Sequence, residues 1–456
     1  MMMTIEDYLK RDAELYPDKV AVICGEECIT YQKLWNRVEL CAARMDVKGK
    51  LVPFRALCEI DTLVQYFAIH LSGGVAVPLA KDLTDGLLAH YQNLRVERMP
   101  DGAADVLFTT GTTGKQKGVV ISHSAIVADA ENLVVAQGYH HDLTFIVCGP
   151  LNHIGSLSKV YPMVWVGGTI HLLDGLKDMD AFFRVLERQL DSGMDSVGDS
   201  SFSSKKTYAS FLVPANIRML MSFSADRLSR NADRIEFIET GAAPMAQSDM
   251  ERLCQLLPHS RLYNTYASTE TGIIATYDFN HGECLAGCLG KAMRHSEFMI
   301  MEDGHVACKG MTLMSGYLGD EALTASVLRE GVVHTADRGR LDDQGRLQLE
   351  GRADDVINVG GYKVIPTEVE NAAMALPIVE DCICIPVQHR LLGTVLKLLV
   401  VLAEGESFDK KAIAKGLQLQ LENYKIPMLY EQVPAVKRTF NGKLDRKSYV
   451  SFGTSH

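Results

Sequence analysis

Between two apolar runs the chain reads Thr109-Thr110-Gly111-Thr112-Thr113-Gly114-Lys115-Gln116-Lys117-Gly118. Glycines let a backbone approach an anion closely. Backbone N–H groups, four threonine hydroxyls and two lysines then supply donors and positive charge. That chemistry suits a polyphosphate. It is not a Walker A loop, because Gln116 stands where that pattern needs its second glycine. Taken alone, the run also describes a flexible turn rich in small residues. Single charged residues elsewhere say less. A lone Glu270 or Asp337 reads as a solvated loop carboxylate, and a lone His153 as a satisfied core histidine.

The loop needs a scaffold, and hydrophobic periodicity outlines one. Residues 4–16 and 31–45 read as amphipathic helices, with a strand over Val20–Ile23 between them. Val75–Leu79 follows Gly73-Gly74 as a buried strand. Val106–Phe108 and Val119–Ile121 flank the loop. Further strands fall at Thr144–Cys148, Thr169–Leu173 and Arg234–Glu239, with helices over 178–191 and 246–257. Alternation of this kind predicts an α/β fold with a parallel sheet. Residues 191–206, rich in Ser, Gly and Asp, read as a loop. After about residue 300 turns multiply and the chain becomes β-rich, and the last hundred or so residues mix α and β. No heptads or internal repeats occur.

Composition bounds the partners. At roughly 150 residues per domain, 456 residues suggest about three packing units. With 47% hydrophobic and 23% charged residues, the chain is neither disordered nor collagen-like. The formal charge of −11 argues against coating nucleic acid or an anionic membrane. Neither a secretory signal nor an apolar run of membrane-spanning length is visible, so a cytoplasmic protein is expected. The 11 cysteines are odd in number and scattered. Cys24 with Cys28, and Cys382 with Cys384, do not have CxxC spacing, and no His-rich segment follows. Reduced thiols are expected, with neither a structural zinc nor a disulfide framework.

Ordered motifs then carry a resemblance. The glycine-threonine loop, with Gln116 where proline is common, resembles the phosphate loop of the adenylate-forming (AMP-binding) superfamily, and the chain is placed in its acyl-CoA synthetase and acid–CoA ligase branch. Pro150-Leu151-Asn152-His153-Ile154-Gly155 is similar to the family's Pro-Leu-aromatic-His-x-x-Gly segment, with Asn152 in the aromatic's place. Gly241-Ala242-Ala243-Pro244 resembles the segment lining adenine. Tyr263 to Glu270 resembles Tyr-Gly-x-Thr-Glu, with Ala267 for glycine. Thr335-Ala336-Asp337 resembles Thr-Gly-Asp. Gly351 to Asn358 and Gly361 to Glu370 form the longest match, and Gly442-Lys443-Leu444-Asp445-Arg446 resembles the terminal Gly-Lys-x-x-Arg motif.

The resemblance implies roles. Thr109, Thr110, Gly111, Thr112, Thr113, Gly114 and Lys117 would hold the phosphates of ATP. Glu270 would bind Mg²⁺, and Thr269 the α-phosphate. Gly241, Ala242 and Ala243 would line adenine, with Tyr266 stacking on it and Asn264 bonding its amino group. Asp337 would accept the ribose hydroxyls and Arg352 would fork onto ribose or phosphate. Lys443 would bridge the carboxylate and the phosphate as they meet. His153, Ala267 and Gly241 would border the acyl pocket. Gly360, Gly361 and Lys363 would meet CoA in a second arrangement, after a turn about a hinge at Asp354.

The implied architecture is a large N-terminal domain (1–353) of α/β subdomains plus a small β-barrel-like segment. A mobile α+β C-terminal domain (354–456) follows. The stretch before residue 106 is short for the family, so a trimmed N-terminal layer with fewer strands is expected. The implied reaction is ATP-dependent activation of a carboxylic acid to acyl-adenylate, then transfer to the thiol of CoA. Loading of an acyl carrier protein and a catalytically silent nucleotide-binding relative remain alternatives. Leu151 to Lys159 lacks an acidic residue to pair a substrate ammonium, which disfavours an α-amino acid. The extra methyl of Ala267 favours a compact acid.

Overall fold

The structure, a computed structural model, describes residues 3–94, 99–110, 116–187, 207–352, 355–359, 362–389, 393–439 and 443–450. Among them, strands form sheets of fourteen, five, three and two strands. One end of the largest sheet has a run of parallel neighbours. In spatial order these are Val20–Cys24, Thr169–Leu172, Leu143–Val147, Thr207–Phe211, Ile235–Thr240 and Arg261–Ser268. The sheet is not parallel throughout. Gly272–Asp278 turns back antiparallel on Arg261–Ser268, because the few residues between them cannot carry a crossover. Through Cys288–Ala292 the sheet then continues into the antiparallel strands Leu347–Arg352, Val332–Leu341, His305–Gly310 and Ser296–Ile300. These are the β-rich segment.

The five-stranded sheet carries the two strands that flank the glycine-threonine loop. Leu51–Arg55, Val75–Leu79 and Ala103–Thr110 are parallel, while Gln116–Ser122 closes an antiparallel hairpin with Ala103–Thr110. The two-residue strand Gly316–Tyr317 pairs on the outer edge of that hairpin. A single buried cluster joins the two large sheets. It includes Leu107 from one, Phe145 and Ile170 from the other, and Leu9, Phe67 and Leu133 from intervening helices.

Local signals fix these helices. The backbone N–H of Thr4 donates to Asp7 Oδ2 at 2.8 Å, part of a capping box ahead of Ile5–Leu15. Ser122 accepts from the N–H of Ala125 and starts His123–Gln137, which ends on left-handed Gly138 at φ 68°. The second helix, Tyr31–Ala42, is shorter than the periodicity suggests and closes in turns through Met45. The C-terminal part is small and has its own buried cluster. Val379–His389, Gly393–Leu402 and Leu429–Gln432 form a sheet against Pro366–Met374 and Lys410–Gln418. Among the described residues, no helix is long and apolar enough to cross a membrane. The eleven cysteines are free thiols.

Candidate active site

Hairpin pairing places Thr109 opposite Lys117 and Thr110 opposite Gln116, so the strands converge on the glycine-threonine loop. Gly111, Thr112, Thr113, Gly114 and Lys115 lie outside the described residues, as do Ala353, Asp354, Gly360, Gly361, Asn441, Gly442 and residues 188–206. Lys117 Nζ sits 5.5 Å from the centroid of the Tyr317 ring. The Tyr317 hydroxyl donates to Glu270 Oε1 at 3.0 Å. Burial pushes the Tyr317 phenol up, and the neighbouring Glu270 adds to the shift, so the hydroxyl stays a donor. Tyr317 thus ties the hairpin to the expected metal carboxylate, a connection that motif reading missed.

Glu270 and Thr269 lie in the turn after Arg261–Ser268. The turn is fastened locally: the Ser268 N–H donates to Thr271 Oγ1, and the Thr271 N–H donates back to Ser268 Oγ, both at 3.1 Å. One Glu270 oxygen accepts from Tyr317. An oxygen-only carboxylate donor set of this kind fits a hard cation such as Mg²⁺.

Residues expected around the nucleoside cluster on neighbouring strands. Gly241 follows Ile235–Thr240 directly, and a Cβ there would lie 2.9 Å from the carbonyl oxygen of Thr265, so the close approach requires glycine. Ala242 takes a left-handed φ of 66°. Asn264 is buried, with Nδ2 donating to the Cys288 carbonyl at 3.0 Å, which fixes the orientation of its amide. Tyr266 is also buried. Its ring packs with Ile274, Leu289 and Val306, and its hydroxyl donates to Asp337 Oδ2 at 2.8 Å. Asp337 pairs with Arg352 across adjacent strands, with Arg352 Nε 3.9 Å from Asp337 Oδ1.

The C-terminal part brings Lys443 to this group. Protein packed around its ammonium lowers the Lys443 pKa, although much of the residue is exposed, and the Arg352 guanidinium adds to the shift. Asp337 and Glu270 oppose it. His153 lies close enough to feel the same ammonium: burial, then Lys443, pushes its pKa down and favours the neutral ring. So Glu270, Asp337, Arg352, Lys443 and His153 converge from five separate stretches of sequence. Lys363 does not join them. It is exposed in the hairpin of Ile357–Val359 and Tyr362–Val364.

Next to His153 the structure adds another element that sequence reading missed. A Cβ on Gly155 would meet the Phe211 ring at 3.1 Å, and one on Gly241 would meet it at 3.6 Å. Lys159 Nζ lies 5.2 Å from the centroid of the Phe211 ring and donates to Glu239 Oε1 at 2.7 Å. Both charges are buried. The available signal was weak, a lysine and a glutamate each beside apolar residues.

The fold is α/β, with a large N-terminal part and a small C-terminal part that brings Lys443 beside Arg352, Asp337 and Glu270. The match to the AMP-binding enzyme family spans residues 91–318, and its C-terminal domain matches residues 368–443. The chain belongs to the AMP-binding enzyme family. It is 25% identical over 378 residues to a 4-coumarate–CoA ligase of Vanilla planifolia, covering 77% of this chain and 64% of that protein. It is 28% identical over 354 residues to an indoleacetate–CoA ligase of Aromatoleum aromaticum, covering 74% and 65%. The chain therefore spans somewhat under two thirds of the length of these relatives. In fold it is similar to ATP-bound MatB from Rhodopseudomonas palustris, with TM-score 0.83, 22% identity and 98% of each chain covered. The amide bond synthetase McbA from Marinactinospora thermotolerans gives TM-score 0.83 at 23% identity, covering 99% of this chain and 100% of that one.

Proposed function

We propose that the chain is an acid–CoA ligase. A substrate carboxylate oxygen attacks the α-phosphorus of ATP, pyrophosphate leaves, and an acyl-adenylate forms. The thiol of CoA then attacks the acyl carbon and AMP leaves. The observation that carries this reading is the convergence of Lys443 on Glu270, Asp337 and Arg352. Two anions must meet in the first step, and a cation between them acts where charge is redistributed. Bound at Glu270, Mg²⁺ would neutralise charge on the phosphates. Asp337, held by Tyr266 and beside Arg352, is suited to accept ribose hydroxyls. Tyr266 thus serves first to orient Asp337, and its buried ring limits the face it offers adenine. Neutral His153 borders the incoming carboxylate without binding it as a counter-ion.

The acid is compact and carries no α-ammonium. Ala267 narrows the pocket, and Phe211 walls it between Gly155 and Gly241. The names of the CoA-ligase relatives favour an aryl or arylacetic acid. We place the domain division at Asp354, with Gly360, Gly361 and Lys363 facing CoA after the C-terminal part turns. Pyrophosphate release, measured over a panel of acids with CoA, with an acyl carrier protein and with neither, tests the acceptor. CoA thioester of an aryl acid supports the proposal, and release that needs a carrier protein sinks it. Lys443→Ala separates the steps: adenylation should fall by about 10²-fold or more, while thioester formation from added acyl-adenylate persists. Equal loss of both would refute the two-arrangement scheme.

A further inference from the structure

Away from this site, beneath the first helix, lies a buried polar cluster that the proposed reaction does not use. Glu6 comes from helix Ile5–Leu15, His70 from helix Ile60–Leu71, and His123 from the start of helix His123–Gln137. Glu6 and His70 are buried, and His123 keeps 24% of its side chain exposed. His70 Nδ1 lies 2.8 Å from Glu6 Oε1, and His123 Nδ1 lies 3.9 Å from Glu6 Oε2. One ligand atom from each of the three residues falls within 4.8 Å of the others.

We propose that Glu6, His70 and His123 bind a divalent transition-metal ion of the zinc class. Two imidazoles and one carboxylate are a donor set suited to such an ion, and three protein ligands leave a fourth position for water. Zinc bonds of about 2.0 Å set tetrahedral ligand atoms about 3.3 Å apart, within the spread seen here. Three further observations point to a ligand. The Nδ1 of His123 is buried without a hydrogen-bond partner, 3.9 Å from Glu6 Oε2.

Second, the outer contacts of His70 are those of a metal-binding histidine. Its Nε2 reaches Asp105 Oδ1 at 3.0 Å and the Ala104 carbonyl at 3.1 Å, which fixes the ring with Nδ1 turned to Glu6, whose hydrogen bond the ion would replace. Asp105 is itself oriented, its Oδ2 accepting from the hydroxyls of Tyr66 at 2.9 Å and Tyr161 at 3.2 Å. Third, the carboxylates of Glu6 and Asp105 are both buried around His70, and a divalent ion would offset negative charge held there away from water. The ion would pin the first helix to the strand Ala103–Thr110, which runs on into the phosphate loop.

The full-length protein, stripped with chelator and passed through gel filtration with Zn²⁺ alone, tests this. About one zinc retained per chain and a raised melting temperature are expected. His123→Ala should weaken zinc binding at least about tenfold, since it removes one ligand. It leaves the Glu6–His70–Asp105 hydrogen bonds in place, so the fold should survive, as near-UV circular dichroism checks. Cobalt in the wild-type protein gives an independent readout, expected as visible d–d bands without a thiolate charge-transfer band. No retained zinc, retention unchanged in a folded His123→Ala protein, or a thiolate band would each overturn the proposal.

Discussion

Asp129 shows how one residue sets a pH dependence. It is buried on helix His123–Gln137, and its Oδ1 accepts from the backbone N–H of Ile273 at 2.9 Å. Burial pushes its carboxyl up to about 8, against the opposing pull of Lys159. The Tyr161 phenol faces it from helix Val160–Val166. In the unfolded chain the same carboxyl ionises near 4. Between these values the native state holds a proton that the unfolded state has released. Stability therefore falls as pH rises from about 4 to about 8 and is flat above. Asp129→Asn keeps an oxygen to accept from Ile273 but cannot ionise. Its denaturation midpoint should match wild type at about pH 4 and exceed it by a margin that widens up to about pH 8 and then stays constant. Parallel curves for the two proteins would show that Asp129 does not carry this dependence.

At the scale of elements, the site depends on contacts between segments far apart in sequence. Tyr317 occupies a two-residue strand on the edge of the phosphate hairpin and reaches Glu270 across 47 positions. A hydrogen bond to a charged group contributes about 1.5–3 kcal/mol when buried, and less here because Glu270 is only partly buried. Tyr317→Phe should lower kcat/KM for ATP by about threefold to tenfold and raise the Mg²⁺ concentration needed for half-maximal rate. An unchanged Mg²⁺ requirement would place Glu270 outside the metal site. The hairpin strands themselves were legible, because two short apolar runs flank a loop of glycine and threonine. Short ordered motifs singled out Asp337 and Arg352, which the structure brings side by side. Tyr317 was not, since its role comes from pairing with Val119 and no local pattern encodes that. The Lys159–Glu239 pair was hidden for the same reason, 80 residues apart. Cysteine spacing gave no sign of zinc, while Glu6, His70 and His123 meet only because three helices pack together. The antiparallel turns at Thr110 and Ser268 escaped the expectation of a parallel sheet, because periodicity does not encode strand direction.

Across the whole molecule, one ion-pair network spans the proposed division at Asp354. Arg218, on helix Pro214–Arg230, donates through Nε and Nη2 to Asp249 at 3.0 and 2.7 Å, and its Nη1 lies 3.1 Å from Asp381. Asp381 belongs to the C-terminal sheet and also receives Arg438 Nη2 at 2.9 and 2.8 Å. Burial disfavours the Arg218 charge, but Asp249 and then Asp381 outweigh it and raise its pKa. The Arg218–Asp381 contact therefore belongs to the arrangement in which Lys443 stands beside Asp337 and Glu270. The turn of the C-terminal part proposed for thiol transfer would have to break it. Arg218→Met removes the link while leaving Asp381 paired with Arg438. Such a partly exposed pair contributes about 1 kcal/mol, or roughly a fivefold change in the ratio of two arrangements. Adenylation rate should fall by about that factor, while thioester formation from added acyl-adenylate holds or rises. Asp249→Asn, which disturbs Arg218 only from the N-terminal side, should have the smaller effect. Equal losses in both half-reactions for Arg218→Met would mean that the network maintains the fold and does not select between arrangements.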